Sequence, residues 1–264
     1  MPQFISIASK NAIARVTLNR TELHNAFNDA MITELVEAFT QLGSDQNVRV
    51  IILAANGKSF CAGADLNWMK KMIDYSFEQN VVDALGLAKM LKIIHDCPKP
   101  VIARVHGAAF GGGVGLIAAC DFAFSVASAT FALTEVKLGL LPAVISPFVL
   151  KKIPASAAQR YFLTAEKFDA TEAQRIGLIS EIAEDEAALD QKLDACIETI
   201  LANGPEAVAQ AKVLINNVLA FHWDEAMALT SEMIAGRRVS AEGQEGMKSF
   251  LEKRKPNWLL EAQK

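Results

Sequence analysis

Two glycine-bearing loops carry the residue types that bring a ligand against the main chain. The first runs Phe60-Cys61-Ala62-Gly63-Ala64-Asp65-Leu66, the second Gly107-Ala108-Ala109-Phe110-Gly111-Gly112-Gly113. Each follows an apolar run that reads as a buried strand, 50–54 before the first and 101–105 before the second, and α/β proteins bind ligands beyond the ends of such strands. Small side chains let a ligand close on the backbone, and a helix opening at the glycines turns free N–H groups toward negative charge. The same glycines read equally as a tight helix–strand contact. The second loop lacks the GxGxxG spacing and ribose acid of a dinucleotide turn, and neither a Walker lysine nor a GxSxG elbow is present. His24, His95, His106 and His222 are dispersed, with no HExxH pair, and Cys61, Cys97, Cys120 and Cys196 form no CxxC. Neither set reads as a metal site, and the cysteines read as reduced packing residues.

Those loops need elements to hold them. Phe4, Ile5 and Ile7, then Ile13, Val16 and Leu18, alternate as two strands of a hairpin turning at Lys10-Asn11. Phe27, Met31, Leu35, Phe39 and Leu42 recur at helical spacing, with Gly43 as the stop. The run 50–54 is short and β-branched, as a strand buried on both faces requires. A helix is predicted over 77–95, with Val81, Leu85, Ala88, Leu91 and Ile94 on its apolar face and Pro98 and Pro100 closing it before the strand at 101–105. Helix-sized spacers between buried strands imply parallel pairing and an α/β architecture. A short helix near 114–119 and a strand over 122–126 follow. Beyond Ser146 the pattern turns helical, over 156–163, 171–176, 186–201, 205–221, 224–233 and 243–253, with one short strand at 178–182. No linker, repeat or low-complexity segment interrupts the chain. It divides into a catalytic core, 1–200, and a helical region, 201–264.

Composition sets the outer bounds. The chain has 264 residues, 52% of them hydrophobic and 21% charged, with a formal net charge of −4. That excludes a disordered chain and argues against a nucleic-acid partner, which a basic face would signal. The opening residues, Met1 to Ile7, show no charged region followed by an apolar run. The apolar stretch 105–120 is too short to span a bilayer and holds five glycines. A cytoplasmic protein without membrane contact is expected.

Taken together, FCAGADL, then KPVIARVHGAAFGGGVGLIAACD, then FALTEVKLGLLP resemble the enoyl-CoA hydratase/isomerase (crotonase) family. The likeness runs from the first hairpin to the closing FLEKRKPNW. Within the family the chain is most similar to bacterial methylglutaconyl-CoA hydratases, through CAGADLNWMKKM and TEVKLGLLPAVISPFVL. The resemblance implies an α/β, crotonase-like (ClpP/crotonase) fold of repeated ββα units with a C-terminal helical region. It implies an enoyl-CoA hydratase, with a branched substrate such as 3-methylglutaconyl-CoA among the candidates.

By the same resemblance, the backbone N–H groups of Ala64 and Gly112 form an oxyanion hole for the thioester, fixed dipoles aimed where an enolate develops. Two-glutamate hydratases carry one carboxylate two residues after the triple glycine and another in the next loop. Here Gly115 stands in the first place, so acid–base work falls on Glu135. A single carboxylate is also the pattern of Δ3,Δ2-enoyl-CoA isomerases, the alternative reading, and a catalytically impaired acyl-CoA binder is a third. Dienoyl isomerases carry a further aspartate where this chain has Ala143. Gly115 is expected to leave room for a methyl branch at C3. Lys58 and Lys253, the latter from a neighbouring subunit, are placed to meet the phosphates or adenine of coenzyme A. The backbones of Ala62, Asp65 and Leu66 would cradle pantetheine and adenine. Trp68, with Met69 and Met72, lines the acyl tail or belongs to the core, and His24 and His106 are structural. Coenzyme A enters as part of the acyl-CoA substrate, with no separate cofactor. The helices at 224–233 and 243–253 suit a homotrimer or a dimer of trimers.

Overall fold

The structure is a computed structural model that describes residues 2–261, so Met1 and the last three residues of the helical region lie outside it. Strands β1 (Ile5–Lys10) and β2 (Ile13–Leu18) form the antiparallel hairpin. Asn11 and Ala12 both take positive φ at its turn, the backbone hand that matches strand twist in a two-residue loop. Helix α1 (Asp29–Ser44) starts two residues later than the periodicity suggests, because Asn28 caps it by accepting the Met31 N–H. Phe27 therefore precedes the helix. β3 (Val50–Ala55) is buried along its whole length, and the three-residue strand β4 (Ser59–Cys61) follows it.

Two helices come next. α2 (Leu66–Ile73) is capped by Asp65, and α3 (Phe77–His95) opens on a capping box of Ser76 and Gln79. Met90, Leu91 and Ile94 are buried, while Val81 and Leu85 on the expected apolar face are exposed. The fully buried side chains of α3 lie in its C-terminal turns. Then come β5 (Val101–Val105), β6 (Ala108–Phe110) and α4 (Gly112–Ala119), followed by β7 (Phe122–Val126) and β8 (Thr130–Ala132). The remainder is α5 (Ser146–Lys152), α6 (Ala155–Thr164), β9 (Phe168–Asp169), α7 (Ala170–Arg175), β10 (Glu181–Ala183) and α8 (Glu186–Leu201). α9 (Pro205–Val218), α10 (Trp223–Val239) and α11 (Ala241–Leu251) pack on one another, and α12 (Asn257–Glu261) closes the described chain.

The strands form two sheets. The large one has the order β1-β2-β3-β5-β7-β10 and is parallel beyond the hairpin; the small one has the order β4-β6-β8-β9 and is parallel except at β9. Each buried strand of the large sheet hands on to a short strand of the small one: β3 to β4, β5 to β6, β7 to β8. The chain thus repeats a ββα unit in space although no segment of its sequence repeats. Adjacent parallel strands lie about 4.8 Å apart with their carboxyl ends together. The segments leaving β4, β6 and β8 are therefore neighbours, with the β6 segment in the middle.

No helix among the described residues is long and apolar enough to cross a membrane.

Candidate active site

The three residues singled out for catalysis leave those three strand ends. Ala64 follows β4, Gly112 follows β6 and Glu135 follows β8. The β4 segment is held by the loop before α1. Ala62 N–H donates to the His24 carbonyl at 3.0 Å, Phe27 N–H to the Gly63 carbonyl at 2.7 Å, and Asp65 N–H to the Phe27 carbonyl at 2.8 Å. Phe27 and Ala64 thus form a parallel bridge. In that pattern the facing residue turns its own N–H away from the partner strand, so the Ala64 N–H has no partner among the described residues. Ala64 is also exposed.

The β6 segment reaches its place through Gly111, whose φ of 50° and ψ of −116° suit glycine alone. Gly111 N–H bonds the Ala132 carbonyl of β8 at 2.9 Å. Gly112 is the first residue of α4, and a first-turn N–H has no carbonyl to meet within its helix. A Cβ built on Gly63 would lie 3.9 Å from the Gly112 nitrogen, and one on Gly112 would lie 2.8 Å from Cε2 of Phe27. The two loops with free N–H groups are therefore packed against each other, with the Phe27 ring over Gly112. The partial positive charge at the start of α4 adds to the attraction for an anion.

Glu135 opens a short 3-10 turn, Glu135–Leu138, and turns its carboxylate back toward α4. A Cβ on Gly111 would lie 3.0 Å from its Oε1. Its Oε2 is buried and accepts no hydrogen bond among the described residues. Burial pushes the Glu135 carboxyl up from the ordinary carboxylate range, and a bond from its own backbone N–H pulls it partly back. A carboxylate short of partners beside two free N–H donors is equipped to take and return a proton while an oxyanion is held.

The remaining candidates divide. Asp65 is buried, caps α2 by accepting the Asn67 and Trp68 N–H groups, and pairs with Arg20 Nη2 at 2.6 Å. Its side chain is framework, and its N–H and that of Ala62 are already spent. What these two and Leu66 offer a ligand is carbonyl oxygen and, at Leu66, an exposed side chain. Trp68 is 5% exposed and donates its indole N–H to Asp83 Oδ1 at 3.0 Å, which ties α2 to α3 from within the core. Lys58 is exposed, with its carbonyl 2.5 Å from where a Gly107 Cβ would stand. Lys253 is exposed and left-handed just after α11, on the α9–α11 layer rather than on the three strand ends.

The room expected beside Gly115 is filled, which corrects the reading of that glycine. A Cβ there would lie 2.3 Å from Cγ2 of Ile145 and 3.7 Å from Cδ1 of Leu91. Ile145 is 3% exposed. Glycine is needed because the isoleucine occupies the space.

Neighbouring groups that invite other chemistry are otherwise engaged. His24 Nδ1 lies 3.1 Å from Ser59 Oγ, and His106 Nε2 lies 2.8 Å from the Gly57 carbonyl oxygen. Burial pushes the Cys61 thiol up to about 12, so it is no thiolate nucleophile. Phe27 and Ile145 border the site without any sequence pattern that marks them as site residues. Asn28, a residue type favoured at helix starts, is the local signal that Phe27 lies outside α1. Nothing local marks Ile145.

The chain matches the family model described as enoyl-CoA hydratase/isomerase over residues 8–261. It is 33% identical over 258 residues to a crotonyl-CoA hydratase of Syntrophomonas wolfei, covering 97% of each chain. It is 32% identical to a mitochondrial enoyl-CoA hydratase of Pongo abelii, covering 94% of this chain and 84% of that one. Its fold superposes on the crystal structure of an enoyl-CoA hydratase from Shewanella pealeana with a TM-score of 0.94 and 42% identity, covering 97% of this chain and 96% of that one.

Proposed function

The chain belongs to the enoyl-CoA hydratase/isomerase family, and from that premise we propose that it is an enoyl-CoA hydratase working with one carboxylate. The observation that carries this reading is the convergence on α4: free N–H groups at Ala64 and Gly112, with the Glu135 carboxylate against Gly111. The thioester oxygen accepts from both N–H groups. Glu135 takes a proton from water as its oxygen bonds to C3, and the C2=C3 pair moves to give an enolate at the thioester. The carboxylic acid so formed returns the proton to C2. Each fixed N–H donor of this kind is worth about 3 kcal/mol in the transition state.

Lys58, and Lys253 from a neighbouring subunit, supply cations for the phosphates, and the Ala62, Asp65 and Leu66 backbone borders the thioester arm. The likeness to methylglutaconyl-CoA hydratases carries a substrate branched at C3. The isoleucine packed against Gly115 takes the room expected there, so the glycine adds no support for that branch.

A second reading has its own support. No second carboxylate stands on α4, and an apolar side chain fills the space where one would lie. In a Δ3,Δ2-isomerase Glu135 takes a proton from C2 of a 3-enoyl thioester and returns it at C4, with no water added. Absorbance of the conjugated thioester separates the readings. With crotonyl-CoA the band is expected to fall as water adds. A rise with 3-hexenoyl-CoA, with crotonyl-CoA untouched, would replace hydratase by isomerase, and no change with either would leave a binder.

The α9–α11 layer exposes Trp223, Val239, Phe250 and Leu251, each about four-fifths exposed. Large apolar side chains left exposed along one layer suit burial against other copies. Light scattering is expected to give a particle of three or six chains, and a monomer would refute this assignment.

A further inference from the structure

A single bridge to Phe27, rather than a strand, holds Ala64 in place. One guanidinium spans that bridge. Arg20 Nη1 donates to the Ala26 carbonyl at 2.9 Å, and its Nη2 lies 2.6 Å from Asp65 Oδ2. Ala26 precedes Phe27 and Asp65 follows Ala64, so the two arms of the fork grip both sides of the bridge. The Phe27 ring packs over Gly112, and the same grip therefore reaches the segment that sets the second donor.

The tie is built to be rigid. Arg20 and Asp65 are both buried, and the guanidinium lies 5.3 Å from the centre of the Phe4 ring. Asn25 is fully enclosed. Its Oδ1 accepts the Arg20 N–H at 2.8 Å, and its Nδ2 donates to the Asn56 and Ser59 carbonyls at 2.8 and 2.9 Å. His24 and Asn25 both take positive φ, a conformation that persists where the surroundings over-determine it. Asp65 Oδ1 caps α2, whereas Oδ2 accepts no hydrogen bond among the described residues and has Arg20 as its counter-charge. Without that cation a buried carboxylate gains by moving toward water, and Ala64 is the residue next to it.

We propose that Arg20 is a positioning residue of the oxyanion hole: by joining the Ala26 carbonyl to the Asp65 carboxylate it sets the Ala64 N–H at its working distance from Gly112. The proposal rests on the acyl-CoA reading above and holds for hydratase and isomerase alike, since both use the same two donors. Such donors act only within about 0.5 Å of their working positions. Arg104 supplies the control. It makes another ion pair with a buried guanidinium, Nε to Asp190 Oδ1 at 2.6 Å, and both its partners, Asp190 and Glu186, belong to α8, which carries no site residue.

The test uses the full chain and butyryl-CoA labelled isotopically at its thioester carbonyl, a saturated thioester that neither reaction consumes. Hydrogen bonds to the carbonyl oxygen lower its stretching frequency, so the infrared band of the bound thioester reads the two donors directly. Arg20→Met is expected to return that band most of the way to its position in free butyryl-CoA. With whichever of crotonyl-CoA and 3-hexenoyl-CoA the wild type converts, kcat is expected to fall about 10²-fold while KM changes far less. Asp65→Asn keeps an oxygen to cap α2 but drops the charge, and it is expected to move both readouts the same way should the methionine variant fail to fold. Arg104→Met is expected to lower Tm and to leave band and kcat as in the wild type. A merely structural role for Arg20 would lower the folded fraction and leave the band of the folded protein in place. A wild-type band in folded Arg20→Met or Asp65→Asn, or an equal shift in Arg104→Met, overturns the proposal. A wild type that binds butyryl-CoA without lowering the band defeats the placement of the donors and the proposal with it. A wild type that lowers the band but converts neither substrate defeats the enzyme reading alone, and the band still decides the role of Arg20.

Discussion

Glu135→Gln is expected to lower kcat for enoyl-CoA by about 10²- to 10⁴-fold, while KM changes little. The amide keeps the shape of the carboxylate and leaves the Ala64 and Gly112 N–H groups in place, so binding survives and proton transfer does not. Stability is expected to move the other way. The Glu135 Oε2 atom is buried without a partner, and burial raises its carboxyl above the ordinary value of 4.5. An acid whose pKa is raised by folding favours the folded state when protonated, and that contribution is lost as pH rises through the folded value. Above that value the wild type carries a charged, under-solvated carboxylate that the amide lacks. The variant is therefore expected to be more stable at pH 7–8 by about 1 kcal/mol, or roughly 2–4 °C in Tm. The difference should shrink as pH falls toward 4.5 and below. A loss of activity accompanied by a gain in stability is the signature of a group held for chemistry. Unchanged kcat sinks the assignment of Glu135, and a lower Tm at pH 8 shows its carboxylate to be well solvated or paired.

Legibility of this fold in the sequence follows element length. β3, β5 and β7 are apolar runs of five or six residues, and α3 and α8 are long, with proline or capping residues at their ends. Periodicity and stop signals suffice for those. β4, β6 and β8 have three residues each, too few for any period to register, and so the second sheet went unseen. That sheet is what brings the site together. The two glycine loops were visible as loops after buried strands, yet their adjacency depends on β4 and β6 pairing. Glu135 stands in a segment without pattern and was found only through the family's motif. Phe27 was absorbed into the periodicity of α1, since a residue just before a cap keeps the helical spacing without being helical. Ile145 is distant in sequence from Gly115, and only the packing of α5 on α4 brings them into contact. The glycine read as vacant space because a sequence shows the missing side chain and not the neighbour that fills its place.

That packing also singles out the glycine on which the geometry of the N–H donors depends most. Gly113→Ala is expected to lower kcat by about 10²-fold or more without removing any catalytic group. A Cβ at position 113 would lie 2.4 Å from the carbonyl oxygen of Cys61 and 3.0 Å from its Cβ. Both partners are main chain or next to it, at the end of β4, so no flexible side chain can yield. Contact below 3.0 Å is not tolerated, and α4 must therefore part from β4 by more than half an ångström. Ala64 rides on β4 and Gly112 on α4, so the same displacement opens the span between the two donors. Preorganised donors act only within about 0.5 Å of their working positions, and the loss of one costs about 10²- to 10³-fold. Gly86→Ala supplies the contrast. Gly86 lies in α3 with nothing within 4 Å of an added Cβ. Alanine there is expected to stabilise by about 0.5–1 kcal/mol and to leave kcat alone. Steady-state kinetics on both variants, with circular dichroism to show that each is folded, separates the positions. A folded Gly113→Ala protein with wild-type kcat would mean that the two N–H groups need not hold their spacing, and the oxyanion hole would have to be placed elsewhere.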